Sequence, residues 1–204
     1  MANQGPGISI TAENAAVLFI DNQTGLISCT ETQDHKALMN NTIALGKLAK
    51  IFKLPVVLTT SYSVGPNGPL HPDLVAQFPG QPIIDRSIVN AWDDPRFTTA
   101  VKATGRKKLI ISGISTEVCV AFPAIMAVRE GFDVYACIDT CATWTHQVEQ
   151  GAFLRMSQAG VVLTNWVSLS AELLRDWQTP AGGPVGGVFA EHFDRYNLLL
   201  QKSA

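Results

Sequence analysis

Charge is what this chain has least of. Asp, Glu, Lys and Arg make up 16% of its 204 residues, against the roughly 25% usual in globular domains. A chain so poor in charge must cover much of its apolar surface, with helices over a sheet or with other subunits. No basic stripe is present. The net charge is −2, and the longest basic run is Arg106-Lys107-Lys108. Neutralising phosphates needs such a stripe, so nucleic acid is not an expected partner. No apolar run approaches the roughly 20 residues of a membrane span. The opening Met-Ala-Asn-Gln-Gly-Pro-Gly lacks the charged and apolar regions of a signal peptide. The expectation is a soluble, cytoplasmic protein with no membrane partner.

Cysteine and histidine are sparse as well, at four each: Cys29, Cys119, Cys137 and Cys141, and His35, His71, His146 and His192. A chain of this size and class does not call for a disulfide framework. Zinc at Cys137 and Cys141 would need two further ligands at suitable spacing, and the histidines supply no such pair. These thiols read as small buried side chains. No metal and no cofactor are expected.

What is present is alternation. Short β-like runs are separated by longer helical patterns. Ala16–Ile20 is apolar throughout, as in a strand buried on both faces. A helical stripe covers Asp34–Phe52, and Pro55–Thr60 reads as the second strand. Ser61–Gly80 reads as a long ordered loop with a helical turn at Pro72–Gln77, and Pro82–Asp85 as a short third strand. Asp94 as cap and Pro95 in the first helical position open a helix through Thr104. Lys108–Ser112, Asp133–Ile138 and Val161–Leu163 complete the strands. Val118–Glu130, His146–Ala159 and Ser168–Trp177 complete the helices. The pattern predicts a three-layer, Rossmann-like α/β fold, with about six mostly parallel strands and helices on both faces. Residues 1–178 form the expected domain. Thr179–Gly187 is a composition break, and Val188–Leu200 an amphipathic helix expected to dock on the body or a neighbouring subunit.

In such sheets the ligand site lies beyond the carboxyl ends of the strands. Asp21 closes the first strand. It reads either as a cap for the turn that follows or as a general base. Arg86 follows the third strand, and is either a tuning charge or a surface arginine paired with Asp85 or Asp94. Cys119 stands after the fourth strand, near a helix start where the positive dipole end favours a thiolate. Pro123 would fall inside that helix and remove the amide that bonds the carbonyl of Cys119. Trp92 and Trp144 lie in post-strand loops, as pocket walls or as packing residues.

Several segments together carry a resemblance. They are Ala15–Gln23, Thr59–Leu70, Arg86 with Asn90-Ala91-Trp92, Ser112-Gly-Ile-Ser-Thr-Glu-Val-Cys119-Val, Gly131–Val134 and Asp139–Thr143. The chain resembles the isochorismatase-like cysteine hydrolases, and over its whole length the YcaC-type members. The resemblance implies a triad of Asp, Lys and Cys. Asp21 and Cys119 match it, and the lysine position falls on Arg86. Arginine keeps the charge but gives up no proton, so what carries over is electrostatic support of a thiolate. The resemblance also implies a cis peptide before Ser115, with the amides of Ser115 and Cys119 as the oxyanion hole. Gln23, Asn90, Trp92, Thr116 and Trp144 fall at substrate-binding positions.

The implied reaction is hydrolysis of a small amide-type substrate through a Cys119 thioester, with Asp21 as base and acid. The alternative is a degenerate site on an oligomeric binding or scaffold protein. Nicotinamidases carry an Asp-x-His zinc site after strand two. Here that stretch reads Thr60-Ser-Tyr-Ser-Val with His71 isolated, so neither metal nor nicotinamide is expected. The resemblance finally implies a homo-oligomer, an octamer.

Overall fold

A computed structural model describes residues 10–199 apart from 194 and 197. Met1–Gly7 and the end of the expected docking helix lie outside the described residues. The elements are β1 Ala15–Ile20, α1 Thr24–Ser28, α2 His35–Ile51, β2 Val56–Ser61, α3 Pro72–Gln77, β3 Ile83–Arg86, α4 Pro95–Ala103 and β4 Lys108–Ile114. They continue with α5 Ala121–Arg129, β5 Asp133–Ala142, α6 His146–Gln158, β6 Val162–Thr164, α7 Trp166–Leu174 and α8 Gly182–His192. A 3-10 turn, Ala91–Asp93, precedes α4, and a π-helical turn, Thr116–Val120, precedes α5.

The six strands form one sheet in the order β3-β2-β1-β4-β5-β6, every neighbouring pair parallel. β1 shows why its sequence does not alternate: all six residues are buried, because both faces are covered. Ala15, Val17 and Phe19 pack with Leu45 and Leu48 of α2, Leu169 of α7 and Val188 of α8. Ala16, Leu18 and Ile20 pack with Phe97 and Val101 of α4 and with Ala121 and Ala124 of α5. The chain leaves β1 toward β2 on one side and later crosses to β4 on the other. The point where the order reverses, between β1 and β4, is where doubly wound sheets open a crevice for ligands.

Local caps set the helix starts. Asp34, Asp94, Thr145 and Asn165 each accept a backbone N–H in the first turn of their helix. Two expectations are corrected. The helix after β4 is not one α-helix from Val118. Thr116–Val120 is wound wider, with the Val120 N–H reaching the Ser115 carbonyl at 3.2 Å, and α5 begins at Ala121. Pro123 is therefore in the first turn of α5, where helical amides lack intrahelical partners. Its penalty is smaller than at a helix centre.

The Gly-rich break is also helical. α8 starts at Gly182, a position that takes glycine because a Cβ there would stand 2.0 Å from the Trp177 carbonyl oxygen. Val185, Val188 and Phe189 then bury their side chains in the cluster formed by β1, α2 and α7. The Phe189 ring meets Trp166 and Trp177 edge-on at 5.3 and 5.7 Å.

Gly113 of β4 lies across from Ile20, and a Cβ there would be 2.2 Å from the Ile20 carbonyl oxygen. Backbone cannot step aside as a flexible side chain would. Gly113→Ala is expected to push β1 from β4 and destabilise the fold by about 1–3 kcal/mol. For a chain of this size that corresponds to a fall of roughly 3–10 °C in melting temperature, readable by differential scanning calorimetry.

Candidate active site

Three side chains from different strands converge at the reversal point. Asp21 follows β1, Arg86 ends β3, and Cys119 sits in the π-helical turn after β4. Asp21 has φ +59°, a region that non-glycine residues seldom occupy. Its backbone is held on both sides, its N–H by the Thr59 carbonyl at 3.0 Å and its carbonyl by the Gln23 N–H at 2.7 Å.

Asp21 and Arg86 form an ion pair with both side chains fully buried, Nη2 to Oδ2 at 2.5 Å. The guanidinium also donates through Nη1 to the carbonyls of Ile88 and Val89, each at 2.6 Å. Arg86 is thus neither a surface residue nor a partner of Asp85 or Asp94. Asp94 pairs with Arg96 instead. Asp21 Oδ1 has no N–H or O–H donor. The carboxylate lies close enough to the Cys119 thiol for each group to act on the other's ionisation.

The electrostatics correct one expectation. Helix-end position suggested a cysteine acidified toward thiolate. Instead, burial pushes the Cys119 thiol well above its ordinary range, and the Asp21 carboxylate pushes the same way. The Ser115 backbone and the Arg86 charge pull it down, but less. Asp21 is itself raised by burial, with the Arg86 charge opposing. The thiol is therefore protonated at rest, beside the buried pair of Asp21 and Arg86.

The peptide bond between Ile114 and Ser115 is cis. Thr116 is fully buried, and its hydroxyl has no hydrogen-bond partner. Trp144 is half-buried just beyond β5. Two other expected substrate contacts are turned elsewhere. Gln23 gives both amide hydrogens to the carbonyls of Ser61 and Gly68, at 3.2 and 2.5 Å, and accepts the Ser61 N–H at 2.8 Å. It ties the loop after β2 to the end of β1, and no hydrogen is left for a substrate. Trp92 is a core residue. Its ring lies edge-on to Phe97 and Phe132, and its indole N–H reaches Glu130 at 2.8 Å. Asn90 caps the 3-10 turn through the Trp92 N–H and donates to Asp93 and to Met126 sulfur.

Sequence reading missed the carbonyls of Ile88 and Val89 as partners of Arg86. Backbone acceptors leave no mark in residue type. His71 caps α3 through the Asp73 N–H. It lines a cavity of about 540 Å³ that holds none of Asp21, Arg86 and Cys119. Among the described residues no group of three or more His, Cys, Asp or Glu is arranged to hold a metal ion, and no helix is long and apolar enough to cross a membrane.

A six-stranded parallel α/β fold with these residues at the strand-order reversal places the chain in a known class. Residues 15–168 match the isochorismatase domain, and the chain belongs to that family of hydrolases. Within it, the chain is 46% identical to the probable hydrolase YcaC of Escherichia coli strain K12, over 96% of this chain and 94% of that one. The crystal structure of the Escherichia coli YcaC product, described as an octameric hydrolase of unknown specificity, superposes with a TM-score of 0.94 at 45% identity, covering 98% of each chain. YcaC from Pseudomonas aeruginosa, solved with hexane-2,5-diol and covalent acrylamide, gives 0.92 at 42% identity over 99% of this chain and 98% of that one.

Three buried thiols carry a raised pKa: Cys119, Cys137 and, pushed up to about 12, Cys141. Above about pH 8.5 the unfolded chain loses thiol protons that the folded chain keeps. The folded state then binds more protons, so stability falls as pH rises. Each thiol contributes about 1.4 kcal/mol per pH unit in that window. Thermal melts from pH 7 to 10 should show this decline, shallower by about that amount in Cys119→Ala.

Proposed function

We propose that the protein hydrolyses a small amide-type substrate through a thioester on Cys119. The observation that carries this reading is one buried carboxylate, Asp21, paired with a guanidinium and near enough to the Cys119 thiol to shift its ionisation, at the end of the sheet. Asp21 takes the thiol proton as Cys119 Sγ attacks the carbonyl carbon. The developing oxyanion is received by the amides of Ser115 and Cys119, each such donor being worth roughly 3–4 kcal/mol in other hydrolases. Protonated Asp21 hands its proton to the leaving nitrogen, and the C–N bond breaks. Water, deprotonated by the same carboxylate, then hydrolyses the thioester and frees the thiol.

The raised thiol fits this scheme. A permanent thiolate beside the Asp21 carboxylate would set two negative charges together. Proton transfer at the moment of attack avoids that state. The Arg86 charge opposes the effect of burial on Asp21 and so favours the carboxylate, and Arg86 has no proton role. The buried Thr116 hydroxyl, with no partner of its own, suits a polar group of the substrate, and Trp144 suits a wall. Covalent acrylamide on the Pseudomonas aeruginosa relative supports a nucleophile in this family that accepts an amide-bearing electrophile. The octameric Escherichia coli relative supports a homo-octamer here.

The test is a panel of small amides and carbamates, with release of amine or ammonia as the readout. Cys119→Ala should abolish turnover on any amide that wild type hydrolyses. Asp21→Asn, which keeps the shape and removes the base, should lower kcat by about a hundredfold or more. Turnover that survives Cys119→Ala would overturn the assignment.

A further inference from the structure

The turn that carries Cys119 is weakly held by its own chain. Ser115 and Val120, the residues preceding the π-helical turn and α5, make no side-chain cap bond. Pro123 brings no N–H to the junction. Wide turns of this kind are uncommon and recur at functional sites. Something outside the turn must fix the thiol against Asp21.

Glu117, two residues before the cysteine, reaches out of the turn. Its Oε2 accepts the Thr143 hydroxyl at 2.6 Å. Thr143 is fully buried just past β5, and each of its polar groups is engaged. Its N–H donates to Thr32 Oγ1 at 3.0 Å, and its carbonyl accepts the N–H groups of Glu31 and Thr32 at 2.9 and 3.2 Å. The Thr32 hydroxyl donates to Glu149 Oε1 at 2.7 Å. Both hydroxyls are thus the donors to carboxylate oxygens. One chain of hydrogen bonds thus joins the nucleophile turn, the end of β5, the segment between α1 and α2, and the first turn of α6.

We infer that Glu117 is a positioning residue for the nucleophile: anchored by Thr143, its carboxylate holds the π-helical turn so that Cys119 Sγ stays on Asp21. This rests on the cysteine-hydrolase reading for its consequence, though not for its geometry. Loss of the anchor lets the turn drift. A displacement of about 1 Å is enough to cost up to a hundredfold in a well-oriented reaction.

The experiment measures alkylation of Cys119 by acrylamide against pH, by mass spectrometry, beside amide hydrogen exchange of segment 115–122. Wild type, Glu117→Ala, Glu117→Gln, Thr143→Val and Thr143→Ser are compared in the assembled protein. With Asp21 serving as base, wild-type alkylation should be nearly flat from pH 6 to 8. Glu117→Ala and Thr143→Val should alkylate roughly tenfold more slowly at pH 7, with a midpoint moved toward the value near 8.5 of a free thiol. They should also exchange faster over 115–122. Glu117→Gln and Thr143→Ser keep the hydrogen bond and should restore both readouts.

A lower melting temperature in Glu117→Ala with unchanged pH profile and unchanged exchange would overturn the inference. So would Glu117→Gln behaving like Ala, because the effect would then be one of charge and not of position. If wild type already titrates as a free thiol, the base role of Asp21 fails, and exchange over 115–122 alone decides whether Glu117 holds the turn.

Discussion

The buried pair of Asp21 and Arg86 is the constraint on which the site depends. Taking either ion out of water costs several kcal/mol, and only close pairing with further hydrogen bonds offsets it. The structure supplies both, through the 2.5 Å contact to Oδ2 and the two carbonyls at 2.6 Å. Removing one partner would leave the other charged and unmatched, a loss of about 3–5 kcal/mol. The pair therefore fixes the loop after β3 against the end of β1. It also leaves Asp21 Oδ1 without a hydrogen-bond partner. The packing of these loops and the ionisation of the thiol depend on the same carboxylate.

Much of the architecture was legible because burial on two faces leaves an unambiguous pattern. β1 reads as apolar throughout and is buried throughout. The Asp94-Pro95 start and the Pro72–Gln77 turn appear as the sequence implied, since caps and proline act locally. What did not show was decided by distant partners. Nothing in Gly182-Gly-Pro-Val-Gly-Gly favours a helix by propensity. That segment is helical because Val185, Val188 and Phe189 find a hydrophobic cluster to enter. The π-helical turn was hidden for a related reason, as an i→i−5 bond has no residue signature.

The site shows the same division. Asp21, Arg86 and Cys119 were nameable because ionisable or nucleophilic groups at strand ends are conspicuous. Their ionisation states were not. Position near a helix start argued for a thiolate, but exclusion of water and a neighbouring carboxylate outweigh a dipole worth typically 0.3–1 kcal/mol. Gln23 and Trp92 show the converse. Both stand beside the right motifs, yet one ties two loops and the other fills the core between Phe97 and Phe132. Proximity in sequence to a strand end places a residue near the site without saying where its side chain is used.

Arginine in place of lysine then acquires a definite meaning. A guanidinium presents donors in a rigid planar fork. Here one nitrogen serves Asp21 while another holds the carbonyls of Ile88 and Val89. These partners all belong to the protein, and the side chain is fully buried. Both terminal nitrogens of Arg86 are thus engaged by its own chain, while the buried Nε–H has no hydrogen-bond partner. The adjoining loops, 62–70 after β2 and 87–90 after β3, carry no charged residue, and Tyr62, Val64, Ile88 and Val89 are exposed on them. On the function proposed above, a cation paired inside the protein, with exposed apolar side chains on the loops after β2 and β3, favours an uncharged carbonyl compound over a carboxylate or phosphate. The charge deficit of the sequence is thereby expressed at the site itself.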